Sequence, residues 1–290
     1  MREAHPAATM TSSRFSKQTF FLTWRARLLQ VCLSGLMLAC ALPAAAESSR
    51  LERVLATGSL RVCIWPEYYG ITYRHPMTRV LSGIDIDLAH ALASDLGVKP
   101  AFVDSNFTRV IDDVTQDRCD IAMFAIGILP HRAEKLRFSQ PYLQSDIYAI
   151  TTRSNRRIKT WQDIDKPGVI VAVAKGTLHE PVMKERLKQA ALLVVAPPGT
   201  REQEVESGRA DVFMTDYPYS RRMLETTDWA RLIEPASTFH LTSYAYAVQK
   251  GDDTWYARIE RFVQTIKQDG RLRQAARKNG LEPIVLDRPN

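Results

Sequence analysis

From Ser59 onward, short β-rich runs alternate with amphipathic segments, and the alternation breaks off once before beginning again. A chain patterned in this way folds into mainly parallel sheets covered by helices, because strands buried on both faces read as near-continuous apolar runs. The first series gives LRVCIW as a strand and a helix from Ile84 to Leu96, where Leu88, Leu92 and Leu96 recur every four residues and Gly97 stops it. Lys99 to Val103 then reads as a strand, Val110, Ile111 and Val114 mark a short helix capped by Asn106 or Thr108, and Asp120 to Ala125 is a third strand, almost wholly apolar.

The run DIYAITTR from Asp146 leads into the polar, basic stretch SNRRIKTWQDIDKPG, which reads as a crossing into a second unit. From Val169 the alternation restarts with VIVAVA, a helix over Glu180 to Ala190, ALLVV, a helix from Thr200 to Ser207 and DVFMT. The last portion returns to strand at Tyr244 to Val248 and ends in helices, with no sheet of its own, so it is expected to rejoin the first unit. At 290 residues the chain allows roughly two domains. The expected division is residues 47–149 for the first lobe, 150–240 for the second, and 241–290 for the return to the first. Two crossings, near residues 150 and 240, make a hinge, and a hinge over a cleft is where small ligands bind.

The formal charge of +7 raises the question of nucleic acid, but +4 of it lies in residues 1–46, where Arg2, Arg14, Lys17, Arg25 and Arg27 face only Glu3. The remainder is close to balanced, and no nucleic-acid partner is expected. Basic residues followed by the uncharged stretch from Leu28 and the run Ala44-Ala45-Ala46 have the layout of a secretory signal peptide cleaved near Ala46. Retention as a membrane anchor and lipid attachment at Cys40 are the alternatives. The mature protein is expected in the periplasm, as a monomer.

Cys32 and Cys40 depart with the signal, which leaves Cys63 and Cys119 in a compartment that permits disulfides. If their strands are parallel neighbours aligned at their carboxyl ends, the two fall several residues apart, too far for a bridge. They are therefore expected to stay unpaired. Scattered histidines, the absence of GxGxxG and the absence of a Ser-His-Asp order point to no metal and no cofactor.

The segment from Gly127 to Tyr142, GILPHRAEKLRFSQPY, follows directly on an apolar strand, where open α/β sheets hold their ligands. Arg132 within it offers a planar fork suited to a carboxylate. IGILPHRAEKLRFSQPY resembles the I-T-x-x-R-x-x-x-x-x-F-S-x-P-Y signature of the family 3 solute-binding proteins, periplasmic receptors of polar amino-acid importers. SGIDIDLAHALASDLG, DRCDIAM, VAVAKGT and SGRADVFMTD resemble further segments of that family in the same order. The resemblance implies a type II periplasmic binding fold of two lobes, and a small solute passed to an inner-membrane ABC permease.

It further implies that Arg132 grips the carboxylate of the ligand, that Asp216 receives its cationic end, and that Tyr68 stacks on it, with Trp65 beside. Asp216 also reads as the N-cap of a helix from Tyr217. Gly127 stands where a Ser or Thr is usual and offers its backbone N–H, and Leu178 departs in the same way in the loop Gly176-Thr177-Leu178-His179. Thr177 and His179 are placed at the ligand from the second lobe. Two other function classes stay open: a dehydratase-like enzyme, for which His131, His179, Glu180 and Glu67 are the acid or base candidates, and an accessory or sensing subunit of another periplasmic system.

Overall fold

The computed structural model describes residues 49–287, so the expected signal peptide lies outside the described residues. In chain order the elements are α1 (Arg50–Thr57), β1 (Ser59–Ile64), β2 (Glu67–Tyr68), β3 (Thr72–Arg74), β4 (Leu81–Ser82), α2 (Ile84–Leu96), β5 (Lys99–Asp104), α3 (Val110–Thr115) and β6 (Ile121–Gly127). They continue with α4 (Pro130–Ala133), β7 (Leu136–Phe138), β8 (Leu143–Ser145), β9 (Ile147–Thr152), β10 (Ile170–Ala174), α5 (His179–Arg186), β11 (Ala191–Val195), α6 (Arg201–Glu206) and β12 (Val212–Asp216). The last are α7 (Tyr217–Thr226), β13 (Ala230–Ile233), β14 (Thr242–Gln249), α8 (Asp253–Gln268) and α9 (Arg271–Lys278).

Two principal sheets result. The first runs β5-β1-β6-β14-β7, with β8 also on β14, and the second runs β11-β10-β12-β9-β13. Each keeps three adjacent parallel strands, β5, β1 and β6 in one and β11, β10 and β12 in the other. The strands β14 and β9 enter antiparallel to β6 and β12. A small antiparallel sheet of β2, β3 and β4, which the alternation pattern did not show, packs over the start of α2. Among the described residues no helix is long and apolar enough to cross a membrane.

Only Asp146 separates β8 of the first sheet from β9 of the second. Its carboxylate accepts hydrogen bonds from the backbone N–H groups of Ile147 at 2.7 Å, Phe239 at 2.9 Å and His240 at 2.7 Å. One side chain thus fastens the outgoing strand to the returning one.

A second buried carboxylate organises the first sheet. Asp85, in the first turn of α2 and fully buried, accepts from the N–H of Ala125 at 2.9 Å, the Tyr142 hydroxyl at 2.5 Å and the Tyr246 hydroxyl at 3.1 Å. Ala125 sits at φ 48°, and the register of β14 against β6 shifts beside it. A non-glycine residue there costs on the order of 1–3 kcal/mol, which the buried carboxylate offsets by taking up the redirected N–H. Burial pushes the Asp85 carboxyl up to about 7 against its three hydrogen bonds.

Contrary to the sequence expectation, Cys63 and Cys119 form a disulfide, with Cα atoms 5.6 Å apart. The expectation aligned the two parallel strands at their carboxyl ends, which would set the cysteines several residues apart. β1 pairs with β6 only from Val62 and Ile121, and the chain bends through residues 118–120 before entering β6. That bend turns Cys119 toward Cys63, and Asp120 fixes it by accepting from the N–H of Arg61 at 2.7 Å while its own N–H donates to the Arg61 carbonyl at 2.8 Å.

Two outcomes follow from these features. Replacing both cysteines by serine is expected to lower stability by about 2–4 kcal/mol, since the bridge closes a long loop; equal denaturation midpoints for the two proteins would contradict it. Because the carboxyl of Asp85 titrates near 7 when folded and near 3.8 when unfolded, the folded state holds a proton there that the unfolded chain releases. Its contribution is complete below about pH 4 and is lost as pH rises toward 7. Asp85→Asn is therefore expected to flatten the fall of Tm over that window, and parallel Tm curves would refute the assignment.

Candidate functional site

The carboxyl ends of β1, β6, β10 and β12 all open on one crevice between the two sheets, as the strand polarity of open α/β sheets dictates. β1 leads to Trp65 and Tyr68, β6 to the turn carrying Arg132, β10 to Gly176 and Thr177, and β12 ends on Asp216. Arg132, Asp216, Tyr68, Thr177, Trp65 and His179 line one pocket. Gly127 stands behind Arg132 rather than on this wall.

Arg132 is 1% exposed. Its Nη1 donates to the Gly127 carbonyl at 3.1 Å and its Nη2 to the Gly176 carbonyl at 2.8 Å, the latter across the crevice. The guanidinium also lies 5.2 Å from the centroid of Phe107. Among the described residues it forms no ion pair with a carboxylate, and burial lowers its pKa to about 10. A cation held by carbonyl oxygens and a ring is poised for an anion.

Asp216, 3% exposed, caps α7 by accepting from the N–H of Tyr219 at 3.2 Å. Its other oxygen accepts from the Tyr68 hydroxyl, again across the crevice, and from the Tyr244 hydroxyl at 3.0 Å. Burial raises its pKa against these bonds. Tyr68 thus reaches Asp216 through its hydroxyl, while its ring meets Trp65 at 5.2 Å and Phe107 at 5.9 Å between centroids.

The second wall comes from the loop after β10. The Thr177 hydroxyl donates to the Ala174 carbonyl at 2.7 Å, and Glu180 accepts from the Gly176 N–H at 2.7 Å. Gly176 has φ +77°, and a Cβ built on it would stand 2.6 Å from the Thr108 side chain of the opposite wall. The two walls touch here through a residue with no side chain. His179 is 4% exposed, and burial followed by the charge of Arg201 holds its imidazole well below the usual range. Among the other acid or base candidates, His131 and Glu67 are exposed and do not line the pocket.

Three participants were not found from sequence. Phe107 and Tyr244 carry no motif, and they reach the crevice only through the loop after β5 and the return strand β14. Arg201, 5% exposed, opens a helix whose sequence REQEVE looks solvated. Its Nε donates to Glu202 at 3.0 Å and its Nη1 to the Met214 carbonyl at 2.9 Å, and its guanidinium covers the Tyr219 ring at 4.4 Å. Burial works against its charge, and the Glu202 carboxylate more than offsets that, leaving its pKa raised.

The chain is similar to known proteins over most of its length. It is 33% identical over 230 residues to the cyclohexadienyl dehydratase of Pseudomonas aeruginosa, covering 79% of this chain and 85% of that protein. It is 23% identical over 255 residues to the L-cystine-binding protein TcyJ of Escherichia coli, covering 88% and 94%. Among solved structures, an ancestral amino-acid-binding protein described as a precursor of cyclohexadienyl dehydratase matches with a TM-score of 0.72 and 31% identity, over 79% of this chain and 99% of that one. A model of the bacterial extracellular solute-binding proteins, family 3, matches residues 60–282, and this chain belongs to that family.

Proposed function

We propose that the protein is an exported receptor that closes its two lobes on a small carboxylate-bearing solute and delivers it to an ABC importer. The observation that carries this reading is the buried Arg132, a charge whose recorded partners are two carbonyl oxygens and an aromatic ring. Removing a guanidinium from water without a carboxylate is costly, and a ligand carboxylate would supply the missing charge-assisted, bidentate bonds. Asp216 would take an ammonium group if the solute has one, in exchange for the tyrosine hydroxyls that now hold it. Trp65, Tyr68 and Phe107 would cover its apolar part.

Closure would follow from the same contacts. Arg132 and Tyr68 belong to one lobe and Gly176 and Asp216 to the other, so a ligand touching all four binds the closed form better than the open one. That differential affinity is what shifts the population. No covalent step is needed.

A second reading, dehydration of a cyclohexadienyl acid, is favoured by the 33% identity to an enzyme of that name. It needs an acid to protonate a leaving hydroxyl. Glu180 is engaged by the Gly176 N–H, and His179 is held neutral, so the group for that task is less apparent than the groups for binding. Incubation with prephenate or arogenate decides the point: ring aromatisation seen in the ultraviolet, lost in His179→Ala or Glu180→Ala, would establish the enzyme.

Arg132→Ala is expected to weaken binding of the cognate carboxylate by about 1.5–3 kcal/mol, the range for a hydrogen bond to a charged group. A thermal-shift screen of amino acids and organic acids finds that ligand, and calorimetry measures the loss; unchanged affinity removes Arg132 from the site. Gly176→Ala is expected to hinder closure, because its methyl group would meet Thr108 and its backbone would be strained. X-ray scattering should then show the ligand-induced compaction of the wild type reduced or absent in the variant.

A further inference from the structure

Residues outside the pocket also join the two lobes. The helix α7 packs on β9, β12 and β13 of the second sheet, and its N-cap Asp216 lines the pocket. Further along the same helix, Glu225 stands four residues from Arg221 and three from Arg222, so the three side chains form one patch on its surface. None of the three lines the pocket. The patch meets the small sheet of β2, β3 and β4 and the turn after α9, both of which pack on α2 of the first lobe.

The bonds across this junction are specific. The Tyr69 hydroxyl donates to Oε2 of Glu225 at 3.1 Å, Nη1 of Arg221 donates to the Gly280 carbonyl at 3.1 Å, and Nη1 of Arg222 donates to the Glu67 carbonyl at 3.4 Å. The guanidinium of Arg222 also lies 5.7 Å from the ring centroid of Tyr73 in one lobe and 5.1 Å from that of Tyr219 in the other. Nε of Arg221 donates to Oε1 of Glu225 at 3.1 Å, which leaves Oε2 to Tyr69. A Cβ built on Gly280, at φ +68°, would stand 3.0 Å from the Arg221 guanidinium, so the absence of a side chain there makes room for the bond.

The consecutive residues Tyr68 and Tyr69 thus reach two carboxylates on one element, Asp216 at the N-cap of α7 and Glu225 in its last turn. A cationic group arriving at Asp216 would displace the Tyr68 hydroxyl. The Tyr69 bond lies outside the pocket and would survive that exchange.

We propose that Tyr69, Arg221, Arg222 and Glu225 are positioning residues, a clasp outside the pocket that holds α7, and with it Asp216, against the first lobe. The clasp keeps a substantial share of the molecules closed before any solute enters. It does not depend on the receptor reading, since an enzyme closing on a substrate would use it equally. A binding-competent form that is already populated raises the apparent affinity in proportion to its share. Partly exposed bonds of this kind are individually weak, which suits lobes that must also open to admit and release what they hold.

Small-angle X-ray scattering of the protein without added solute tests the clasp, with circular dichroism and melting temperature establishing that each variant is folded. Tyr69→Phe/Arg222→Ala/Glu225→Ala is expected to raise the radius of gyration by about 1 Å, on a value of roughly 18 Å for a compact chain of this size. Glu225→Gln, whose amide oxygen still accepts from Tyr69, is expected to stay with the wild type. Superposable curves for the triple variant and the wild type overturn the clasp. Equal expansion in Glu225→Gln overturns it too, because the effect would then come from the ion pair within α7. Should the triple variant not fold, Tyr69→Phe alone decides, since it removes a single oxygen: a smaller rise in the same direction supports the clasp, and no rise overturns it. Neither result touches the receptor reading, which stands or falls on Arg132→Ala.

Discussion

A guanidinium removed from water between two lobes, without a carboxylate to answer it, is the constraint around which the rest of the molecule is arranged. Arg132 is tolerated there because Gly127 and Gly176 turn their carbonyl oxygens toward it, one from each side of the crevice. That arrangement exists only when the lobes meet. A buried ion costs several kcal/mol unless its partners are well placed, so two carbonyls hold the closed form less well than an anion would. In the proposed receptor, a carboxylate on the ligand would make good that shortfall.

The parts of the first lobe that resemble family motifs act on this crevice from behind. Asp85, from the segment SGIDIDL, binds Tyr142 from the signature, Tyr246 from the return strand and the N–H of Ala125. Ser139 of the same signature accepts from the N–H of Tyr246 and donates its own N–H to the Tyr246 carbonyl. Helix, signature and return strand are thereby locked into one unit beneath the pocket, and Ala125 within that unit forms part of its floor. The motif brings Arg132 to the crevice and supplies further residues that hold the unit beneath it together.

Most of the architecture was legible because it follows from local patterns: apolar strands, four-residue spacing of Leu88, Leu92 and Leu96, and glycine stops. Arg132, Asp216, Tyr68, Thr177 and His179 were legible because they sit at strand ends, where chain order alone brings them to the crevice. What stayed hidden depends on contacts between segments far apart in sequence. Phe107 looks like any loop aromatic until the fold brings its ring against Trp65, Tyr68, Phe124 and Arg132. Arg201 heads a helix written in charges and is buried only because Phe213 and Tyr219 flank its guanidinium. The disulfide was missed because a bend of a few residues before β6, set by Asp120 and Arg61, is a tertiary event that no strand pattern reports.

The departures at Gly127 and Leu178 belong to the same physical account. A side chain at 127 would press on the Thr242 methyl at 3.2 Å, and Leu178 fills the space beyond at 3.6 Å. With no side chain at 127 and an apolar one at 178, neither position sets a hydroxyl beside Arg132, whose guanidinium is held by the Gly127 and Gly176 carbonyls. On the far wall the buried Arg201 donates from Nε to Glu202 and from Nη1 to the Met214 carbonyl. The two ends of the crevice are thus built differently, with the guanidinium of Arg132 held by backbone carbonyls and that of Arg201 by a neighbouring carboxylate as well.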